Sequence, residues 1–416
     1  MALLAIVGAL AGCAQLPGSS APYSTEAVAM SRQVMIMLPS PARVALRPYD
    51  YNGAGYTSGH ARARARRIAD EIATERGLVV LDDWAMPALE IHCVVARVPD
   101  GAEPAVVLDA LNHDSRVAWA QPMERYHTLA ARPAGPADQH AAGWTDLDSL
   151  HRIATGHRVT IAQIDTGVDL RHPVLAGQWS GARNFVDGRE FPAELHGTAV
   201  ASVAVARSDP GTGLVGVAPG ARVMPLRACW DAGAEGAACS TFTLAKSLQH
   251  ALRAAPRVIN LSITGPQDRL LGLLIDRALD QGIVVVAAGD ESGGPGFPAN
   301  HPRVLAVYGD IPPASSHSAL QAPSSDILTA TPNGSFAFLS GTSFAAAQVS
   351  GLTALLLEIA PQLTPGQIAA VLQATAMDPG RQRFVARVDP CAALNAVAQR
   401  PGLICPAAAA GIARLP

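Results

Sequence analysis

The stretch Gly156-His157-Arg158-Val159-Thr160-Ile161-Ala162-Gln163-Ile164-Asp165-Thr166-Gly167-Val168-Asp169 decides the fold. Its run Val159 to Ile164 is apolar and predicts a buried strand, with Asp165 closing the run and Gly167 making the turn. A carboxylate at the end of such a strand stands where α/β sheets place their functional groups. Strand and helix patterns alternate from about residue 142 onward, which predicts an α/β fold with a mostly parallel sheet.

Two further motifs follow in order. His196-Gly197-Thr198 opens a run of small residues to Ala204, which predicts a helix able to pack very closely on a neighbour. Gly341-Thr342-Ser343 opens a second helix, Ser343 to Ile359, apolar nearly all round and therefore buried. A serine at a buried helix N-terminus has free backbone N–H groups and a dipole that favours an anion. Ser is a weak nucleophile at neutral pH. It needs a His base, and the His needs a carboxylate to fix its tautomer. Asp165, His196 and Ser343 supply those three parts.

With those motifs, residues 142–398 resemble the subtilisin-like serine proteases (subtilases), whose triad runs Asp, His, Ser along the chain. The resemblance extends to Gly213-Leu214-Val215-Gly216-Val217-Ala218-Pro219, to Val258-Ile259-Asn260-Leu261-Ser262 and to Gly282-Ile283-Val284-Val285-Val286-Ala287-Ala288-Gly289. It implies a three-layer α/β catalytic domain and a polypeptide substrate. Ser343 is then the nucleophile, His196 the base and Asp165 its orienting acid. Ser262, Ile263, Thr264 and Gly289 line the substrate cleft, where an edge strand pairs with substrate by β-augmentation. The Ser343 N–H and the residue 290 side chain supply the oxyanion hole.

The chain departs from the family at several positions. The oxyanion side chain is usually Asn, and here it is Asp290. An ionised Asp only accepts hydrogen bonds; a protonated one donates. Losing such a donor costs about 10²–10³ in rate. The expectation is activity that is weak throughout or that falls as pH rises. Thr264 stands at a usual Gly position and is expected to narrow the cleft. Ala347 and Gln348 replace Pro and His after the nucleophile. His172-Pro173-Val174 lacks the carboxylate of the family's strong calcium site. No metal and no cofactor are expected.

Residues 31–128 precede this domain. Gln33–Leu38, Leu78–Leu81, Leu89–Ala96 and Val117–Pro122 read as strands, and Ala61–Arg76 and Ala102–Leu111 as helices. The order β-α-β-β-α-β is a split βαβ sandwich. Ahead of a subtilase core it resembles the inhibitor-like propeptide of that family, which implies a folding helper and intramolecular inhibitor. Its last strand would continue into the cleft like a product. Residues 129–141, rich in Pro, Ala and Gly, form the expected linker that is cut. Arg62, Arg64, Arg66 and Arg67 on the first helix read as a solvated face.

Residues 1–13 are short, apolar and end in small residues, like a signal peptide. Leu10-Ala11-Gly12-Cys13 resembles a bacterial lipobox, which implies acylation of Cys13. Ala14 after the Cys implies sorting to the outer membrane. A plain secretory signal with an incidental Cys is the alternative. Residues 14–30 read as a tether and 399–416 as a C-terminal tail. An exported chain can form disulfides; Cys229 with Cys239 and Cys391 with Cys405 are the expected pairs, leaving Cys93 as a buried apolar residue.

The 416 residues allow two or three domains. Hydrophobic residues make up 49% and a large core is available, while a net charge of −3 gives no sign of a nucleic-acid partner. The sequence thus points to an exported, lipid-anchored serine endopeptidase. Its rival is a non-catalytic or permanently inhibited protease-like protein that binds peptides at the cell envelope.

Overall fold

The computed structural model describes residues 30–40, 54–129, 132–133, 144, 147–187, 190–233, 236–290, 296–310, 319–377 and 385–398. The strand expected from the opening stretch is Thr160–Asp165. It lies inside a parallel sheet that has eight strands among the described residues. Val258–Leu261 pairs on one side and Arg222–Arg227 on the other. Such strands are covered on both faces, so they read as unbroken apolar runs rather than alternating ones. Val284–Ala288, five buried residues in a row, is the clearest case.

Leu195–Val205 and Thr342–Ile359, the helices that carry His196 and Ser343, pack on one face of the sheet. Thr241–Ala254 and Arg269–Asp280 cover the other. This is the three-layer α/β architecture that the sequence implied. Thr342–Ile359 is long and apolar enough to cross a membrane, yet here it is the core helix of the fold. Its far end is anchored by Glu358, whose Oε2 accepts the N–H groups of Thr155, Gly156 and His157 at 2.6–3.0 Å.

The N-terminal domain is an antiparallel sheet in the order Val79–Met86, Ile91–Arg97, Gln33–Pro39, Trp119–Pro122. Helices Ala54–Arg76 and Pro104–Asn112 complete the β-α-β-β-α-β order. Side chains alternate across a strand. Val34, Ile36 and Leu38 therefore face this domain's own helices, while Met35 and Met37 join the core shared with Thr241–Ala254 and Arg269–Asp280. Both sheet faces are buried, which is why the strand is apolar at five consecutive positions, Val34 to Leu38.

Polar contacts pin the two parts together. Trp84 Nε1 donates to Gln249 Oε1 at 3.0 Å, Gln249 Nε2 to the Ala85 carbonyl at 2.9 Å, and Gln121 Nε2 to Asp268 Oδ1 at 2.9 Å. Lys246 meets Asp82 at 2.8 Å. The arginine face is exposed as expected, but not idle. Arg62 and Arg66 approach Asp83 at 3.6 and 3.4 Å, and Asp83 holds buried His92 at 2.8 Å.

Cys229 and Cys239 form a disulfide, and Cys93 is free and buried. The expected Cys391–Cys405 pair lies partly outside the described residues, and Cys13 with the rest of residues 1–29 wholly so.

Candidate active site

Asp165 is the last residue of its strand, and His196 is the second residue of its helix. Two glycines let these segments touch. A Cβ on Gly167 would stand 2.0 Å from the Pro192 carbonyl oxygen, and one on Gly197 would stand 2.6 Å from the carbonyl oxygens of Thr166 and Gly167. The Asp-Thr-Gly and His-Gly-Thr motifs are thus two halves of one backbone contact. The Gly197 N–H donates to Thr166 Oγ1 at 2.9 Å, and Gln163 Nε2 to the Gly197 carbonyl at 2.8 Å.

The contact brings the three expected groups into a relay. His196 Nδ1 is 2.7 Å from Asp165 Oδ1, and His196 Nε2 is 2.9 Å from Ser343 Oγ. Asp165 Oδ1 also accepts the Thr166 N–H at 2.6 Å. All three side chains are buried. Burial pushes the His196 imidazole down, but the Asp165 charge and hydrogen bond, with the Leu129 carbonyl, outweigh it. The pKa of His196 therefore lies above its ordinary 6.5.

Ser262 sits behind the nucleophile. Its Oγ donates to the Ser343 carbonyl at 3.4 Å and accepts from Asn260 Nδ2 at 3.0 Å; Ser350 Oγ in turn donates to Asn260 Oδ1 at 2.9 Å. Gly289 is pressed against Tyr308, where a Cβ would come 2.2 Å from the ring. Thr264 directs its Oγ1 at Gly296 and pairs by its backbone with His127. Asp290 is half-buried beside Tyr308, whose hydroxyl is pushed up by burial and by the Asp290 charge.

The cleft is occupied by the chain itself. Arg125–Thr128 forms a strand, with Ile263–Thr264 antiparallel on one side and Ala237–Ser240 antiparallel on the other. The next residue, Leu129, donates its N–H to the Ser262 carbonyl at 3.4 Å. Its carbonyl oxygen lies 3.1 Å from both Ser343 Oγ and His196 Nε2. Beyond it, Arg132–Pro133 pairs antiparallel with Leu339–Ser340. The chain therefore enters on one side of Ser343 and leaves on the other, with Leu129 at the nucleophile.

Sequence reasoning missed one bracing pair. Glu194 precedes the His helix and accepts Arg227 Nε and Nη2 at 2.8 and 2.9 Å. Its Oε2 also accepts the Gly167 N–H. Arg227 ends the strand next to Asp165 and pairs with it in register. Glu194 lies two residues before His196, and that closeness was the available signal.

A model of the subtilase family (peptidase S8) matches residues 156–390. The chain is 32% identical over 270 residues to the thermophilic serine proteinase of Bacillus sp. strain AK1, covering 60% of this chain and 65% of that protein. It is 34% identical over 329 residues to mycosin-1 of Mycobacterium tuberculosis, covering 62% and 74%, and 33% identical over 224 residues to thermitase of Thermoactinomyces vulgaris, covering 49% and 76%. Among solved structures, its fold is similar to that of fervidolysin from Fervidobacterium pennivorans, with a TM-score of 0.68 at 22% identity, over 87% of this chain and 60% of that one.

Proposed function

The chain belongs to the subtilase family, and from that membership and the threading of Leu129 through the triad we propose that it is a serine endopeptidase whose first substrate is its own chain. The observation that carries this reading is the Leu129 carbonyl, 3.1 Å from both Ser343 Oγ and His196 Nε2. The bond cut is Leu129–Ala130. Ser343 Oγ bonds to the Leu129 carbon while His196 Nε2 takes the hydroxyl proton and Asp165 stabilises the imidazolium. The oxyanion is met by the Ser343 N–H and by Asp290 when Asp290 carries a proton. The C–N bond then breaks, His196 gives its proton to the departing Ala130 nitrogen, and water releases the acyl-enzyme by the same path.

In the resting geometry the carbonyl oxygen accepts from the nucleophile itself. Reaction requires that oxygen to turn away so that Oγ can address the carbon. The N-terminal domain is thus an intramolecular inhibitor as well as a substrate, fixed in place by the contacts of Trp84, Gln121 and Lys246. This same geometry favours the second reading, a protein held permanently inhibited.

Mass spectrometry of the wild type beside Ser343→Ala separates the two. Cleavage after Leu129 in the wild type alone supports the protease. An intact wild-type chain that also ignores a fluorophosphonate probe refutes it. The lipid expected on Cys13 lies on the N-terminal side of the cut. Processing therefore leaves the anchor with residues 13–129 and frees the catalytic domain from the membrane, except as the domain interface retains it. Membrane fractionation with antibodies to each half tests this; an active form found only as the full-length, membrane-bound chain overturns it.

A further inference from the structure

A cavity of about 350 Å³ is lined from both helices that carry the catalytic pair, yet among the described residues it shares none with the substrate cleft. Val203 faces it about two turns past His196, and Gln348 about one and a half turns past Ser343. Leu214 and Ile327 join Val203 in an apolar, buried floor. Trp144 and Leu147 are half-buried and form the rim. The size lies at the small end of ordinary ligand pockets, roughly 300–1,000 Å³.

One polar atom interrupts the floor. Gln348 is 2% exposed, and its Nε2 donates to the Pro323 carbonyl at 2.6 Å and to the Phe344 carbonyl at 3.4 Å. Those two acceptors fix which end of the amide is nitrogen, so the oxygen is the end left to the cavity. Gln348 Oε1 has no hydrogen-bond partner among the described residues. A buried acceptor without a partner is costly, and a ligand N–H or O–H recovers that cost. Asp148 is exposed and is the one charged residue among the described residues of the lining, so it disfavours anions. Aromatic rings gain from an aromatic neighbour beyond the area they bury, and Trp144 supplies one.

We propose that this cavity binds a small neutral or cationic aromatic molecule carrying one N–H or O–H donor. Its ring packs on Trp144, Leu214 and Ile327, and its donor bonds Gln348 Oε1. The site stands whether or not the triad cuts.

The test uses the full-length Ser343→Ala chain, whose cleft is filled by its own strand Arg125–Thr128 and by Leu129, so that a ligand meets only other sites. The probe is indole, beside benzofuran, which keeps the ring shape but has no donor. Calorimetric titration should give a Kd on the order of 0.1–1 mM for indole. Benzofuran should bind roughly threefold to tenfold more weakly, the effect of one hydrogen bond. Tryptamine should bind more tightly than indole-3-acetate, because Asp148 stands on the lining. Val203→Phe fills the floor and should weaken indole roughly tenfold. Trp144→Ala should weaken it several-fold; it changes only the rim, so it reports even where the floor variant misfolds. No binding of indole at millimolar concentration, or a Kd unchanged in both variants, overturns the site. Equal affinity for indole and benzofuran overturns the role of Gln348, and tighter binding of indole-3-acetate than of tryptamine overturns the charge preference.

Discussion

Removing the brace between Glu194 and Arg227 should damage catalysis more than substrate binding. Glu194 accepts three N–H groups at once, two from Arg227 and one from the turn after Asp165. The Arg227 side chain is only 9% exposed. Glu194→Ala leaves its guanidinium nearly buried, with Asn184 Oδ1 at 3.3 Å and Asp187 at 3.8 Å as remaining partners. Breaking a fully buried pair costs about 3–5 kcal/mol. Glu194 is 16% exposed and Asp187 still offers a charge, so about 2–3 kcal/mol is the expected loss of stability here. The catalytic loss has a separate origin. The brace joins the Asp165 turn to the start of the His196 helix, and a shift of about 1 Å between catalytic groups costs on the order of 10² in rate. Glu194→Ala should therefore lower kcat by about tenfold to hundredfold with KM within about twofold, while Glu194→Gln, which keeps an acceptor oxygen, should lose less. Urea unfolding and active-site-titrated hydrolysis measure the two effects. A variant that loses stability but keeps kcat per titrated site refutes the positioning role. A variant that keeps both refutes the brace altogether.

The pH dependence follows from His196, whose pKa lies above 6.5. His196 must be neutral to act as base, so the acid limb of kcat/KM should have its midpoint above 6.5. The same shift stabilises the uncut fold below about pH 6.5 and loses that contribution as pH rises through the folded pKa; denaturant titration of Ser343→Ala at acid and alkaline pH should show it, and greater stability at alkaline pH from this group would contradict the sign. If Asp290 lines the oxyanion hole, Asp290→Asn should raise kcat/KM by about 10²–10³, because an amide donates where a carboxylate accepts. An unchanged profile would remove Asp290 from the oxyanion hole. Reducing the Cys229–Cys239 disulfide should raise KM several-fold with little change in kcat, because Ala237–Ser240 is one wall of the substrate strand. A change confined to kcat would contradict that account.

The catalytic fold was legible because its signals are local and repeated. Val159, Ile161, Ala162 and Ile164 make the run mostly apolar because the strand is covered on both faces, and Gly167 and Gly197 sit in the motifs because no larger residue fits between the two segments. The β-α-β-β-α-β order of the N-terminal domain was equally legible, since each element carries its own pattern. The entry of the chain into the cleft was expected only from the family resemblance, and the strand Arg125–Thr128 that makes it was not read from the residues, because its pairing is set by the edges of Ala237–Ser240 and Ile263–Thr264, more than one hundred residues away. Glu194 with Arg227 escaped for the same reason, since neither residue belongs to a motif and their meeting depends on strand order.

The resting position of Leu129 also explains how such a protein avoids cutting itself at once. A carbonyl oxygen held by Ser343 Oγ and His196 Nε2 occupies the two groups that would attack it. It adds to the forces that raise the His196 pKa, which disfavours the neutral base. Slow self-processing is therefore the expected behaviour of this active site.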